Sequence, residues 1–316
     1  LAELRPAFPV PRLEGKALGD VLARLRLDCP ELFYVTGFSC RVHPAAATVE
    51  FLPQYLFDKG KIRDHQRALA ARMDRLCRPV LDKGEAEREQ YVHDFICQNV
   101  RYDKLKKPYS HEILGPLGQG VGVCEGIAKS VKALCDRLGL WCIVALAENN
   151  PEKGIKYRHA WNVVRLGGQY YHLDATFDNS LGGDGLVRYD YFNLDDRRLF
   201  RDHEALVYPV PPCADGNHFY YKEAGRSFTR VEDSAKRAAQ AIRKKQPLVF
   251  HWRGGPLTRE VLGELAAALE AAAGAKGRHA AIRLNWPQAV LEVRFPEAPP
   301  ADTCVAQEAN EGEALE

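Results

Sequence analysis

The sequence predicts an α+β fold, and three observations carry the prediction. A strong amphipathic helix pattern begins at Cys124. A β-hairpin pattern turns at Gly167-Gly168. Mixed helical and strand periodicity lies on either side of both. At roughly 100–150 residues per domain, 316 residues accommodate two or three domains. The expected division is an N-terminal α+β domain over 1–82, a central core over 83–212, a C-terminal α+β domain over 213–296 and an acidic tail over 297–316.

Taken in order, residues 13–27 read as a helix, with Leu18, Val21, Leu22 and Leu25 on one stripe. Strand-like runs follow at 32–38 and 48–57, then a helix over 61–77 that Pro79 helps to end. Residues 85–99 read as another helix, with Tyr91, Val92, Phe95 and Ile96 apolar. The stretch 101–122, rich in glycine and proline, reads as a loop, and loops of that length are usually functional. It runs into Cys124. Beyond it, Ile127, Val131, Leu134 and Leu138 recur at helical spacing, and Gly139 suits the C′ position. Residues 141–148 and 159–166 read as strands, and 169–177 as the antiparallel partner across the glycine turn. A loop is expected over 178–190 and a linker at Tyr208-Pro-Val-Pro-Pro-Cys213. The C-terminal domain reads as strands at 218–221, 247–252, 280–284 and 289–295 with helices at 234–244 and 259–273. The tail has few large apolar residues and is expected to be disordered.

Composition narrows the class. The chain is 46% hydrophobic and 27% charged, as in ordinary globular proteins, and its net charge of +2 provides no global field for nucleic acid. The runs Lys104–Lys107 and Arg243–Lys245 are short and read as solvated faces. No stretch approaches the ~20 apolar residues of a membrane span, and no signal-peptide pattern is visible. The chain begins at Leu1 and its one methionine is Met73, so the native start is expected upstream, which leaves secretion open. Nine scattered cysteines without a CxxC pair read as reduced thiols, which favours a cytoplasmic setting.

Cysteine acyl chemistry needs a thiolate, a proton carrier, a group that orients the carrier, and donors for the oxyanion. Cys124 follows Gly120-Val-Gly-Val123 at a helix start, where the dipole favours a thiolate. In a two-residue hairpin at Gly167-Gly168, Leu166 faces Gln169 and Trp161 faces Asp174. His159 and Asp174 then become diagonal neighbours on one face, roughly 7–8 Å apart between Cα atoms. A carboxylate in the apolar run 170–177 needs a partner, and His159 is the nearest. Gln119 is a weaker candidate for an oxyanion donor, and Trp161 for the wall of an acyl pocket. His172 shares the face of Asp174 as a competing base. His111 and Glu125 are near Cys124 in sequence only.

These motifs, Gly122-Val-Cys124-Glu-Gly126, His159-Ala-Trp-Asn162 and Tyr171-His-Leu-Asp174-Ala-Thr176, resemble in order the three blocks of the transglutaminase-like superfamily. The helix at 91–103 and Tyr191-Phe-Asn193 resemble it too. The likeness covers residues 85–212, about 40% of the chain. It implies a papain-like core, with a helix bearing the cysteine packed on an antiparallel sheet bearing His and Asp, flanked here by two smaller α+β domains. It implies a Cys124, His159, Asp174 triad acting on an amide in a peptide or protein through an acyl-enzyme on Cys124. The superfamily includes crosslinking, peptide-hydrolysing and deglycosylating members. Crosslinking enzymes of animals usually carry Trp after the cysteine, where this chain has Glu125, so hydrolysis is expected over transfer. The alternatives are a protein-glutamine gamma-glutamyltransferase and a catalytically silent binding or scaffold module. The set most resembles bacterial members with extra flanking domains. No cofactor and no metal site is expected, and the sequence leaves the oligomeric state open.

Overall fold

The N-terminal elements form where the periodicity places them, with one addition. In the computed structural model, which describes residues 1–183, 185–299 and 304–306, an unexpected strand β1 (Phe8–Pro11) precedes helix α1 (Gly15–Asp28). Its two prolines suit the edge position it takes in an antiparallel sheet of order β1-β3-β2, with β2 (Val35–Val42) and β3 (Thr48–Tyr55). Phe51 joins the three strands, with its ring 5.2 Å from Phe8 and stacked 4.8 Å from Phe38. Helix α2 (Lys59–Cys77) starts on an Asp58 cap whose carboxylate accepts from the Lys61 N–H at 2.9 Å. Helix α3 (Glu85–Asn99) carries Glu85 and Glu87 in its first turn, where the dipole favours negative charge.

The stretch expected as a loop over 101–122 is more ordered than its composition suggests. It opens with β4 (Arg101–Tyr102) and closes with β5 (Val121–Gly122), and the two pair in parallel. Between them lie a 3₁₀ turn, Pro108–His111, and a π turn, Leu114–Gln119. Helix α4 (Cys124–Arg137) follows, then β6 (Cys142–Leu146) and β7 (Ala160–Leu166), paired antiparallel from Cys142↔Val164 to Leu146↔Ala160. Helix α4 packs against both strands. The Asn162 amide donates to the Ala128 carbonyl at 2.9 Å and pins strand to helix. Gly167 and Gly168 have φ of 55° and 84°, the doubly left-handed backbone of a type I′ turn.

The chain divides at this turn. One compact unit comprises Leu1–Gly168 with Leu206–Pro211; the second comprises Gln169–Ala205 and the described part of Pro212–Glu311. The division cuts the 83–212 stretch expected as one core.

The second unit begins with β8 (Gln169–Leu173), which pairs antiparallel with β9 (Phe192–Leu194). The strand expected to reach residue 177 ends at 173, and helix α5 (Ala175–Leu181) replaces its last third and the start of the expected loop. A short helix α6 (Asp196–Leu199) follows β9. Residues 218–221, expected as a strand, lead into a helical turn α7 (Tyr220–Glu223). Side-chain packing overrides aromatic strand propensity there: Tyr220 stacks on Tyr189 at 3.8 Å, and the buried Tyr221 donates to Asp190 at 2.9 Å.

The remainder comprises β10 (Ser227–Phe228), α8 (Val231–Arg243), β11 (Leu248–Trp252), α9 (Arg259–Gly274), β12 (Ala281–Asn285), β13 (Val290–Arg294) and β14 (Cys304–Ala306). The sheet order is β10-β11-β13-β12-β14. Its core holds Phe250, Leu265, Leu269, Leu284 and Leu291, all at most 1% exposed. Within 297–316, expected as a disordered tail, β14 pairs in parallel with β12. Residues 300–303 and 307–316 lie outside those described. Among the described residues no helix is long and apolar enough to cross a membrane.

Candidate active site

Cys124 is the first residue of α4, preceded by extended Val123 (φ −93°, ψ 174°). Its thiol therefore lies in the first turn, where backbone N–H groups and the helix dipole stabilise negative charge. A cap residue with no polar side chain leaves that end to other acceptors. Close backbone packing sets the position. The Val123 N–H donates to the Ser110 carbonyl at 3.0 Å, and a Cβ on Gly126 would overlap that same carbonyl. A Cβ on Gly115 would come within 2.5 Å of the Val121 carbonyl. The glycines of this region thus bring the 3₁₀ and π turns against the start of α4. Cys124 itself is 7% exposed and shares a buried cluster with Leu27, Ala128, Val144 and Ala160.

One turn along α4, Lys129 is fully buried and surrounded by acceptors. Its ammonium lies 2.6 Å from Glu125 and 3.0 Å from Glu112, and donates to the His111 carbonyl at 3.2 Å. Arg26 of α1 pairs with the same Glu112 oxygen. The remaining Glu125 oxygen faces the His111 ring at 3.6 Å. Burial alone would raise the Glu125 carboxyl, but the His111 contact and the Lys129 ammonium outweigh it and bring it down to about 2. Glu125 and His111, neighbours of Cys124 in sequence, therefore belong to a charge cluster that locks the first turn of the helix. A buried lysine without these carboxylates would be costly.

His159 immediately precedes β7 and is 8% exposed. Its ring lies 5.9 Å from that of Trp161 at 19°, as expected for side chains two apart on one strand face. Its carbonyl accepts from the Ala147 N–H at 2.8 Å. Trp161 is 1% exposed, so it supports the His159 ring from the core. Gln119 ends the π turn in an exposed position.

In the second unit Asp174 is fully buried, and its role is more specific than that of a strand carboxylate. It is the N-cap of α5: one oxygen accepts from the Thr176 and Phe177 N–H groups at 2.9 and 3.0 Å. The other lies 3.0 Å from Nε2 of His203. Nδ1 of His203 lies 2.9 Å from Asp202, so both ring nitrogens face carboxylate oxygens, which a doubly protonated ring satisfies with two donors. Tyr191 donates to the other Asp202 oxygen at 2.5 Å, and Phe177 packs on the His203 ring at 4.6 Å. His203 was absent from the candidates of the sequence: it lies 29 residues beyond Asp174 with no motif around it. His172, the competing base, is bound instead to Asp196 at 2.8 Å, and burial lowers its pKa.

Together these groups offer a thiol at a helix start, a buried imidazole just before a strand and beside the thiol's cluster, and a buried carboxylate with three hydrogen-bond partners. This is the inventory that nucleophilic acyl chemistry requires.

Residues 67–175 match the family model described as transglutaminase-like superfamily, transglutaminase core. Two solved structures are similar to parts of the chain. One, described as a TGase, is 13% identical over 54% of this chain and 49% of its own, with a TM-score of 0.28. The other, a candidate cysteine protease from Cytophaga hutchinsonii, is 16% identical over 48% of this chain and 65% of its own, with a TM-score of 0.30. The chain thus spans about half to two thirds of these relatives. No curated protein matches it. The matched segment, about a third of the chain, carries Cys124, His159 and Asp174 and is transglutaminase-like.

Proposed function

We propose that the chain is a thiol-dependent amide hydrolase acting on a peptide or protein, with Cys124 as nucleophile, His159 as base and Asp174 as orienter. The observation that carries this reading is Cys124 as the first residue of α4, in one buried cluster with Ala160, the residue that adjoins His159. The type I′ backbone at Gly167-Gly168 supports it, because a tight hairpin brings Asp174 toward His159.

In this reading His159 takes the proton from Sγ, and the thiolate attacks the amide carbonyl carbon. The Cys124 N–H, at the open end of α4, donates to the developing oxyanion, with Gln119 as a second donor. The tetrahedral intermediate collapses, the C–N bond breaks, and the imidazolium returns its proton to the leaving amine. Water activated by His159 then releases the acid from the thioester. An amine in place of water would give transfer. Asp174 keeps the imidazole in one tautomer and orientation.

The test is labelling with a thiol-directed probe near pH 6, read by mass spectrometry, followed by cleavage of a peptide library. The reading expects Cys124 to label far ahead of the other cysteines, and cleavage to vanish in Cys124→Ala. Uniform labelling across the cysteines, with no cleavage, would favour a scaffold. Incorporation of a primary amine in preference to water would replace hydrolysis by crosslinking.

A further inference from the structure

We propose that His172, Asp196 and Cys213 form a binding site for a divalent transition-metal ion of the zinc class. One ring nitrogen of His172, one carboxylate oxygen of Asp196 and Sγ of Cys213 all lie within 4.8 Å of one another. The site lies wholly in the second unit and shares no residue with the proposed triad.

Three separate stretches of chain build it. His172 lies in β8 opposite Leu194 of β9, two residues before Asp196. Asp196 opens α6, and Cys213 follows Pro211-Pro212. Two hydrogen bonds join the last pair: the Asp196 N–H donates to the Cys213 carbonyl at 2.8 Å, and the Cys213 N–H to the Asp196 carboxylate at 3.1 Å. His172 and Cys213 are fully buried, while the Asp196 side chain is 41% exposed. An ion thus has one approach from solvent, along the Asp196 side chain.

The donor set selects the metal. Calcium and magnesium require oxygen shells, and this site offers one carboxylate. A thiolate, an imidazole and a carboxylate suit zinc or cobalt. Around tetrahedral zinc, neighbouring ligand atoms lie about 3.3–3.7 Å apart. The His172–Asp196 pair, now 2.8 Å apart, would widen by about half an ångström, and Sγ would draw in by at most about 1 Å. Binding releases one proton: the Cys213 S–H bond breaks, the proton passes to water and a metal–thiolate bond forms. The proton that His172 Nε2 shares with Asp196 in the metal-free site passes to Nδ1 through solvent, so the ring stays neutral and presents a lone pair to the ion. No electron is transferred. The spacings of 24 and 17 residues between the ligands explain why no sequence motif marks the site. A bound ion would brace the end of β8, two residues before Asp174, against the segment that leads to His203.

The test uses the full chain, stripped with a chelator and titrated with Co²⁺. The expected result is a sulfur-to-cobalt charge-transfer band with intense tetrahedral d–d bands, saturating at one equivalent. The band should persist in Cys124→Ala and vanish in Cys213→Ala. Asp196→Asn should weaken Co²⁺ by more than about tenfold. Zn²⁺ should raise the melting temperature of the native chain and not that of Asp196→Asn. Absence of a thiolate band in the native chain overturns the proposal, as does the same band in Cys213→Ala. If Cys213→Ala does not fold, unchanged Co²⁺ affinity in Asp196→Asn overturns it instead.

Discussion

Cys124 and Asp174 both stand at helix starts, and the two starts are used in opposite ways. Cys124 is the first residue of a 14-residue helix whose cap is Val123, a side chain with no acceptor. Asp174 is itself the cap of a 7-residue helix, and its oxygens are taken by Thr176, Phe177 and His203. The first arrangement takes no cap from its own side chain, as the proposed mechanism requires of a helix end that meets charge developing during reaction. The second consumes its helix end to fix one carboxylate. In the proposed mechanism the contrast separates a position that accepts changing charge from one that holds constant charge.

The largest expected effect breaks the first side of the contrast. Cys124→Ala should reduce amide cleavage by at least about a thousandfold with the circular dichroism spectrum unchanged. Activity that survives would move the nucleophile elsewhere.

On the second side, Asp174→Asn should lower activity by about 10³–10⁴-fold, because the charge that orients the base is lost while a capping oxygen stays. Asp174→Ala should add a stability loss of about 1–2 kcal/mol, read from the urea midpoint, because the two capped N–H groups lose their acceptor. Equal stability of the two variants would contradict the capping role.

His203→Gln sharpens the comparison. If His203 only holds Asp174, activity should fall by less than about tenfold while the melting temperature drops by a few degrees. A loss as large as that of Asp174→Asn would make His203 the working base.

The glycine approach is tested by Gly126→Ala, which forces a Cβ into the Ser110 carbonyl and should cost about 1–3 kcal/mol. Gly118→Ala meets nothing within 4 Å and should stay within about 0.5 kcal/mol.

A further test concerns pH. The folded Glu125 value of about 2 lies below the ordinary 4.5, so Glu125 adds stability above pH 4.5 and loses it as pH falls toward 2. Glu125→Gln should flatten that part of the profile of urea midpoint against pH.

Much of the local structure around the candidate site is legible in the sequence because its signals are local. The i, i+4, i+7 pattern of Ile127, Val131 and Leu134 needs only one helix to express it, and Gly167-Gly168 needs only one turn. The sequence pattern places Asp174 in a strand because Tyr170, Tyr171 and Leu173 before it and Phe177 after it form an apolar run. The cap signal was present, an Asp followed by Ala-Thr-Phe and a second Asp at 178, but the apolar run outweighed it. Tyr220 and Tyr221 misled in the same way, since their partners, Tyr189 and Asp190, lie some thirty residues away. His203 and Lys129 were illegible for a deeper reason. A buried charge is defined by what surrounds it, and Glu112, Glu125 and Asp174 are assembled only by the fold.

Arg26 and Leu27 sit at the end of α1, upstream of the matched segment, yet Arg26 pairs with Glu112 behind the Cys124 helix and Leu27 packs in the Cys124 cluster. The footing of Cys124 is therefore not portable. A fragment trimmed to residues 67–175 would keep every motif by which the core is recognised and lose part of the masonry beneath it, so recognisable boundaries and working boundaries differ in this chain.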